Sequence, residues 1–241
     1  MKQLVKRVLN RAGIYYAKHQ YMPRGIDWLW DIKRVARGLP VRTVFDVGAN
    51  VGQTTRMIKE QFADAEVHAF EPVSTTFQSL ERNVRQLSGV TCHRLALCER
   101  VGRATVTAVN DSQLNRLVTD AEVPDLAEIE RVDTETIEHF CTSHEIESID
   151  ILKVDAEGAD LRVLKGGQAM LRQGRIAFVL VEAGFREDDA GHVPLPALYD
   201  FLRDAGLTLY SLYDHYHEEG ERQLLFANVL FLSPAAISRM Q

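Results

Sequence analysis

Between Thr43 and Leu232 the chain alternates short apolar runs with stretches in which apolar residues recur every three or four positions. "TVFDVG", "EVHAFEP", "VTCHRLAL", "IDILKVDAEG" and "IAFVLVEAG" are rich in β-branched and aromatic residues and predict strands. Between them, residues 53–62, "STTFQSLERNVRQL" with Ser74 as N-cap, and "DLRVLKGGQAMLRQG" predict helices, the last with glycines at its end. Strands alternating with helices predict a parallel sheet covered on both faces, a doubly wound α/β fold. "RATVTAVN" predicts a further strand, "DSQLNRLVTDAEVPD" a loop, and "DTETIEHFCTSHE" a helix starting near Asp133 or Thr134. "PLPALYDFLRDAG" predicts the last long helix, and "LTLYSLYD" and "LLFANVLFLS" two closing strands. The second of these is expected to insert antiparallel to its neighbours.

The first forty residues break this rhythm. Leu4, Val5, Val8 and Leu9, then Trp28, Leu29, Ile32, Val35 and Ala36, recur at helical spacing around a break at Met22-Pro23-Arg24-Gly25. Residues 1–40 are therefore taken as a helical N-terminal extension and residues 41–241 as one catalytic-sized domain.

Charge is uneven. Ten Lys/Arg stand against two Asp/Glu through Arg42, so with a formal net charge of -6 the remainder carries -14. An acidic body excludes a general nucleic-acid binder. The basic arm suits either a solvated helix docked on the domain or peripheral contact with an anionic membrane. No apolar run approaches the ~20 residues that span a bilayer, and the N-terminus lacks the apolar core of a secretory signal. Cys92, Cys98 and Cys141 show no Cys-x-x-Cys spacing and read as reduced thiols. The expected location is cytoplasmic, with membrane association left open.

Candidate chemistry gathers where strands end. "VFDVGANVGQTT" leaves a strand on Asp46 and turns through Gly48 and Gly52 into a helix. The pattern is G-x-N-x-G, and Asn50 stands where a dinucleotide loop needs close backbone approach to a pyrophosphate. Glu71, nineteen positions after Gly52, ends the next strand, where an acid can accept both ribose hydroxyls of an adenosine. Together they point to adenosine without diphosphate, which S-adenosylmethionine supplies. A strand-terminal acid that only caps a helix is the plainer alternative for Glu71.

"FDVGANVGQTT", "VHAFEPVSTTFQSLERNV" and "IDILKVDAEGADLRVLKGG" resemble the successive signatures of the FkbM-family S-adenosylmethionine-dependent methyltransferases, over about Thr43 to Glu182. The resemblance implies a Rossmann-like methyltransferase fold and an O-methyltransferase acting on a sugar hydroxyl of a glycan, glycolipid or glycosylated natural product. It implies that Asp46, Gly48, Ala49, Asn50 and Gly52 line the methionine end of the cofactor, that Glu71 holds the ribose, and that Ala96 and Leu97 flank the adenine.

Removing the acceptor proton requires a base or a metal. Asp155 and Glu157 leave the fourth parallel strand at the edge where cofactor and acceptor meet, and Lys153 shares a face with Asp155. Lys153 and Asp155 equally form a structural ion pair at a strand end, with Glu157 favourable to a helix N-terminus. Glu182 ends the most apolar strand and is a candidate to orient the acceptor or to join Asp155 on a divalent metal. Tyr213 and His215 are candidate acceptor contacts after the sixth strand, and Ser112 another in the preceding polar loop. His215 and His217 have the H-x-H spacing of a metal pair, but loop histidines without a third ligand are more often solvated. Metal dependence and oligomeric state stay open. The competing functions are an NAD-dependent reductase or epimerase, disfavoured by Asn50 and by the lack of a Tyr-x-x-x-Lys pair, and a non-catalytic adenosyl-binding scaffold.

Overall fold

A computed structural model of the protein describes residues 11–12, 21–37, 40–108, 117–118, 128–186, 188–189, 191–217 and 223–238. Leu4, Val5, Val8, Leu9 and Ser112 lie outside them.

A seven-stranded sheet runs in the order β3-β2-β1-β8-β9-β11-β10. Its strands are β1 (Thr43–Val47), β2 (Glu66–Phe70), β3 (Val90–His93), β8 (Ile149–Val154), β9 (Ile176–Gly184), β10 (Thr208–His217) and β11 (Leu224–Leu232). The first five pair in parallel, and β11 lies antiparallel between β9 and β10. The expected doubly wound sheet with an antiparallel closing strand is therefore present. Its central strands are apolar on both faces because both are covered.

On one face, α1 (Trp28–Ala36) buries Trp28, Leu29, Ile32 and Val35 against Val44, Ile151, Phe178 and Leu230. Asp27 starts this helix by accepting the Trp30 amide, and Arg37, with φ at 49°, ends it. The opposite face packs Phe45, Leu152, Val179 and Phe231 against α4 (Ile137–Ser143), α5 (Asp160–Lys165), α6 (Gln168–Arg172) and α7 (Leu195–Asp204). The remaining helices are α2 (Gln53–Gln61), α3 (Ser74–Val84) and α8 (Pro234–Ser238).

Several local expectations are corrected. "VTCHRLAL" is not one strand. It gives β3, and then β4 (Ala96–Leu97) leaves for a second sheet of order β4-β7-β5-β6, with β5 (Gly102–Ala108), β6 (Leu117–Val118) and β7 (Glu128–Glu135). Asp133 and Thr134 belong to β7, and α4 starts only at Ile137, where Thr136 accepts the His139 amide. Ser74 is the first residue of α3 rather than its cap, and its amide and hydroxyl both donate to Glu130 of β7 at 2.9 Å. That bond, with Val73, Ala96, Val106 and Val132 packed together, fastens the second sheet beside the start of α3. Residues 160–172 form two short helices, broken at Gly166-Gly167.

Candidate active site

Because β1, β2, β8 and β9 are parallel, their carboxyl ends share one edge of the sheet, where open α/β folds bind ligands. Asp46, Glu71, Asp155 and Glu182 all lie at that edge, one from each strand or the residue after it.

The glycine loop is tied down from within. The amides of Gly48 and Ala49 both donate to the Phe70 carbonyl, at 3.0 and 2.9 Å. The Asn50 amide donates to Glu71 Oε2 at 3.1 Å, and Asn50 adopts φ 50°. Gly52 bonds back to Ala49. The amides of Gly48, Ala49 and Asn50 are thus committed to the end of β2. Gly48, with φ at 74°, is required for a different reason from the one its motif suggests. A Cβ there would lie 1.7 Å from the Asp155 carbonyl oxygen, so the hydrogen admits the β8 backbone rather than a ligand.

Glu71 is buried. Its Oε1 accepts the Val73 amide at 3.0 Å and its Oε2 that of Asn50. A carboxylate has about four acceptor positions, so two hydroxyl donors can still be received. Burial is the main influence on this carboxyl and pushes it up to about 7, against the pull of the two amides and Lys153.

Asp46 is fully buried. Its Oδ2 accepts the Thr55 hydroxyl at 2.6 Å, and its Oδ1 has only the Lys153 ammonium 3.5 Å away. Lys153 points from β8 to Asp155 Oδ2 at 3.0 Å. Burial disfavours its charge, but Asp155, Asp46 and Glu182 outweigh burial and hold it above the ordinary lysine value. The pairing Asp46↔Lys153 across β1 and β8 puts all three groups on one face.

After Asp155 the backbone turns sharply through Glu157 at φ 47° and Gly158 at φ 87°. Asp160, which sequence reasoning missed, closes this turn by accepting the amides of Ala156 and Gly158 at 3.1 and 3.2 Å. Burial, reinforced by Asp155 and Glu182, pushes Glu157 up to about 8 and Asp160 up to about 7. Glu182, nearly buried, meets His192 Nε2 at 3.1 Å.

Ala96 and Leu97 form β4 of the second sheet, beginning three residues beyond the last residue of β3, and both are buried. Tyr213 is fully buried and donates its hydroxyl to Asp31 of α1 at 2.9 Å, which removes it from any acceptor surface. His215 and His217 are exposed and lie within β10 rather than in a loop after it. Among the described residues, no group of three His, Cys, Asp or Glu side chains is arranged to hold a metal ion, and no helix is long and apolar enough to cross a membrane.

The chain matches the methyltransferase FkbM domain over residues 46–209. The chain belongs to the FkbM methyltransferase family. It is 26% identical over 176 residues to the 2-O-methyltransferase NoeI of Sinorhizobium fredii, a stretch covering 68% of this chain and 72% of that protein. It is 28% identical over 142 residues to Methyltransferase 1 of Beauveria bassiana, covering 51% of this chain and 57% of that one. Among solved structures it resembles M. capricolum TrmK in complex with S-adenosyl-homocysteine, with a TM-score of 0.48, 11% identity and coverage of 85% of this chain and 68% of that one.

The titrations of this FkbM-family site carry a prediction for stability. Glu71, Glu157 and Asp160 sit above their ordinary values of 4.5, 4.5 and 3.8, and His192 is raised from 6.5 to about 9. In all four the folded state keeps a proton that the unfolded state releases, so their contribution is present below the ordinary value and lost as pH rises through the folded one. His68 and His93 are lowered by burial and act the other way, but only below 6.5. The protein alone is therefore expected to lose stability steadily from about pH 6.5 to 9. Scanning calorimetry checks this, and a melting temperature that is flat or rises over that interval would contradict the placement of these groups.

Proposed function

We propose that the protein is an S-adenosylmethionine-dependent O-methyltransferase whose acceptor is a sugar hydroxyl of a glycan, glycolipid or glycosylated natural product. The observation that carries the cofactor assignment is the combination of committed loop amides with a strongly acidic edge. Among the described residues, Asp46, Glu71, Asp155, Glu157, Asp160, Glu182 and Asp189 gather there around Lys153 and His192. A diphosphate would meet repulsion from the ionised carboxylates, and the Gly48, Ala49 and Asn50 amides are already taken. A ligand bearing a sulfonium and an ammonium is favoured by the same charges, and Glu71 has acceptor capacity left for its ribose.

When bound, S-adenosylmethionine supplies an already activated methyl group. The protein's part is to hold an acceptor hydroxyl in line with it and to receive the hydroxyl proton. Asp155, about one-third exposed, and the largely buried Glu182 are the strand-end carboxylates taken to receive that proton, and Lys153 keeps Asp155 oriented. The similarity to NoeI, named a 2-O-methyltransferase, supports an oxygen acceptor.

Titration calorimetry with S-adenosylhomocysteine and with NAD tests the cofactor. The first should bind and the second should not. Glu71→Gln should weaken S-adenosylhomocysteine by about 10–100-fold, the loss of a hydrogen bond to a charged acceptor. Tight NAD binding would replace the assignment with a reductase. The acceptor is tested by incubating the protein with methyl-labelled S-adenosylmethionine and glycan and glycolipid extracts. Label recovered as O-methyl sugar after hydrolysis is expected, and label confined to peptide or nucleic acid would exclude a sugar.

A further inference from the structure

The segment after β9 holds an arrangement that no sequence motif marks. Gly184 of β9 lies opposite Phe226 of β11, and Phe226 opposite Tyr216 of β10. The rings of Tyr216 and Phe226 stack at 4.8 Å and 17°. A side chain at position 184 would continue that row, but glycine has none, and His192 enters the space. Its imidazole stacks on Phe226 at 4.4 Å and 23°, and a Cβ on Gly184 would come within 3.1 Å of the His192 Cβ. The strand pairing therefore sets the plane of the imidazole.

Both ring nitrogens are engaged. Nδ1 lies 2.7 Å from Asp189 Oδ2, and Nε2 lies 3.1 Å from Glu182 Oε2. Asp189 is itself fixed by the Gly191 amide, which donates to its Oδ1 at 2.9 Å. All three side chains are largely withdrawn from water, at 8% exposure for Asp189, 14% for His192 and 12% for Glu182. Among the described residues no donor reaches Glu182 Oε1, and that oxygen is not among the buried unsatisfied atoms, so it is left to accept from a ligand.

We propose that His192, braced by Asp189 and stacked on Phe226, is a positioning residue that fixes the Glu182 carboxylate so that its second oxygen receives the acceptor hydroxyl. This rests on the acceptor reading given above. The ring is suited to the task because it donates from both nitrogens. Burial works against its charge, but the carboxylates of Glu182 and Asp189 outweigh burial and push it up to about 9. Glu157 is a further titratable group coupled to His192. A purely structural latch would look alike in the ligand-free fold, but its loss would lower stability and cofactor affinity without singling out turnover.

Two measurements on the full chain separate these. Histidine NMR, with the His192 signal assigned by its loss in His192→Gln, should show titration near pH 9 in the native protein, falling by about one unit or more in Glu182→Gln. Titration at an ordinary value in both would overturn the clamp, and this measurement needs no acceptor. Labelled methyl transfer to the glycolipid extract should then fall in kcat by at least about tenfold in His192→Gln, with S-adenosylhomocysteine affinity within about threefold of native. Asp189→Asn, which keeps the imidazole, should show a smaller loss of the same kind and serves if His192→Gln does not fold. Turnover unchanged, or lost in proportion to cofactor affinity, would overturn the positioning role. If the native protein labels no sugar, the acceptor reading fails, and the variants are compared on whichever acceptor class takes the label.

Discussion

Asp155→Asn is expected to lower turnover by about 10²–10⁴-fold while changing S-adenosylhomocysteine affinity by no more than a few-fold, the range for losing a general base. The side chain emerges from β8 about one-third exposed, with its amide on the Val47 carbonyl and its Oδ2 on Lys153. Asparagine keeps the volume and an oxygen for Lys153, and Asp46 remains 3.5 Å from that ammonium, so the strand ends should stay in place. What disappears is the charge able to receive a proton. Steady-state kinetics on the labelled acceptor beside calorimetry with the product cofactor gives both numbers. Turnover within a few-fold of native would make Asp155 a partner of Lys153 alone and leave Glu182 as the group facing the acceptor.

A second large effect belongs to Gly48→Val, and it is an effect on the fold. The family resemblance puts Gly48 at the methionine end of the cofactor, where a larger side chain would take up ligand space. The structure points the missing side chain the other way, 1.7 Å from the Asp155 carbonyl oxygen, in a residue with φ at 74°. Left-handed strain and overpacking each cost roughly 1–3 kcal/mol, and here they coincide at the junction of β1 and β8. At about 2–4 °C per kcal/mol for a chain of this size, the melting temperature should fall by roughly 5–20 °C. A valine variant that melts like native but binds no cofactor would restore the original explanation.

That example shows where sequence information stops. The central strands were legible because both their faces are buried, leaving nearly continuous apolar runs that end on Asp46, Glu71, Asp155 and Glu182. The cofactor edge followed from those endings. The second sheet was not legible, since β4 has two residues and β7, "EIERVDTE", mixes charge with β-branched residues in a way that also suits a polar helix start. Asp160, Asp189 and His192 belong to no spaced motif. Their roles come from a turn and from an empty position at Gly184, which only the pairing of β9 with β11 reveals. Tyr213 is followed by the exposed, polar Asp214 and His215, which suggests a site surface, while α1, far away in sequence, covers its face.

The placement of β11 between β9 and β10 has a consequence for how the chain is made. Synthesis delivers β9 and β10 before the strand that joins them, so until residues 224–232 emerge from the ribosome the two cannot be bridged. Through that interval β9, "IAFVLVEAG", presents an unpaired and almost wholly apolar border, the kind of surface on which nascent chains associate. Completion of the sheet is thus a late event. Slow translation over residues 205–232, or a substitution that weakens β11, should reduce soluble yield more than the same change in β2 or β3.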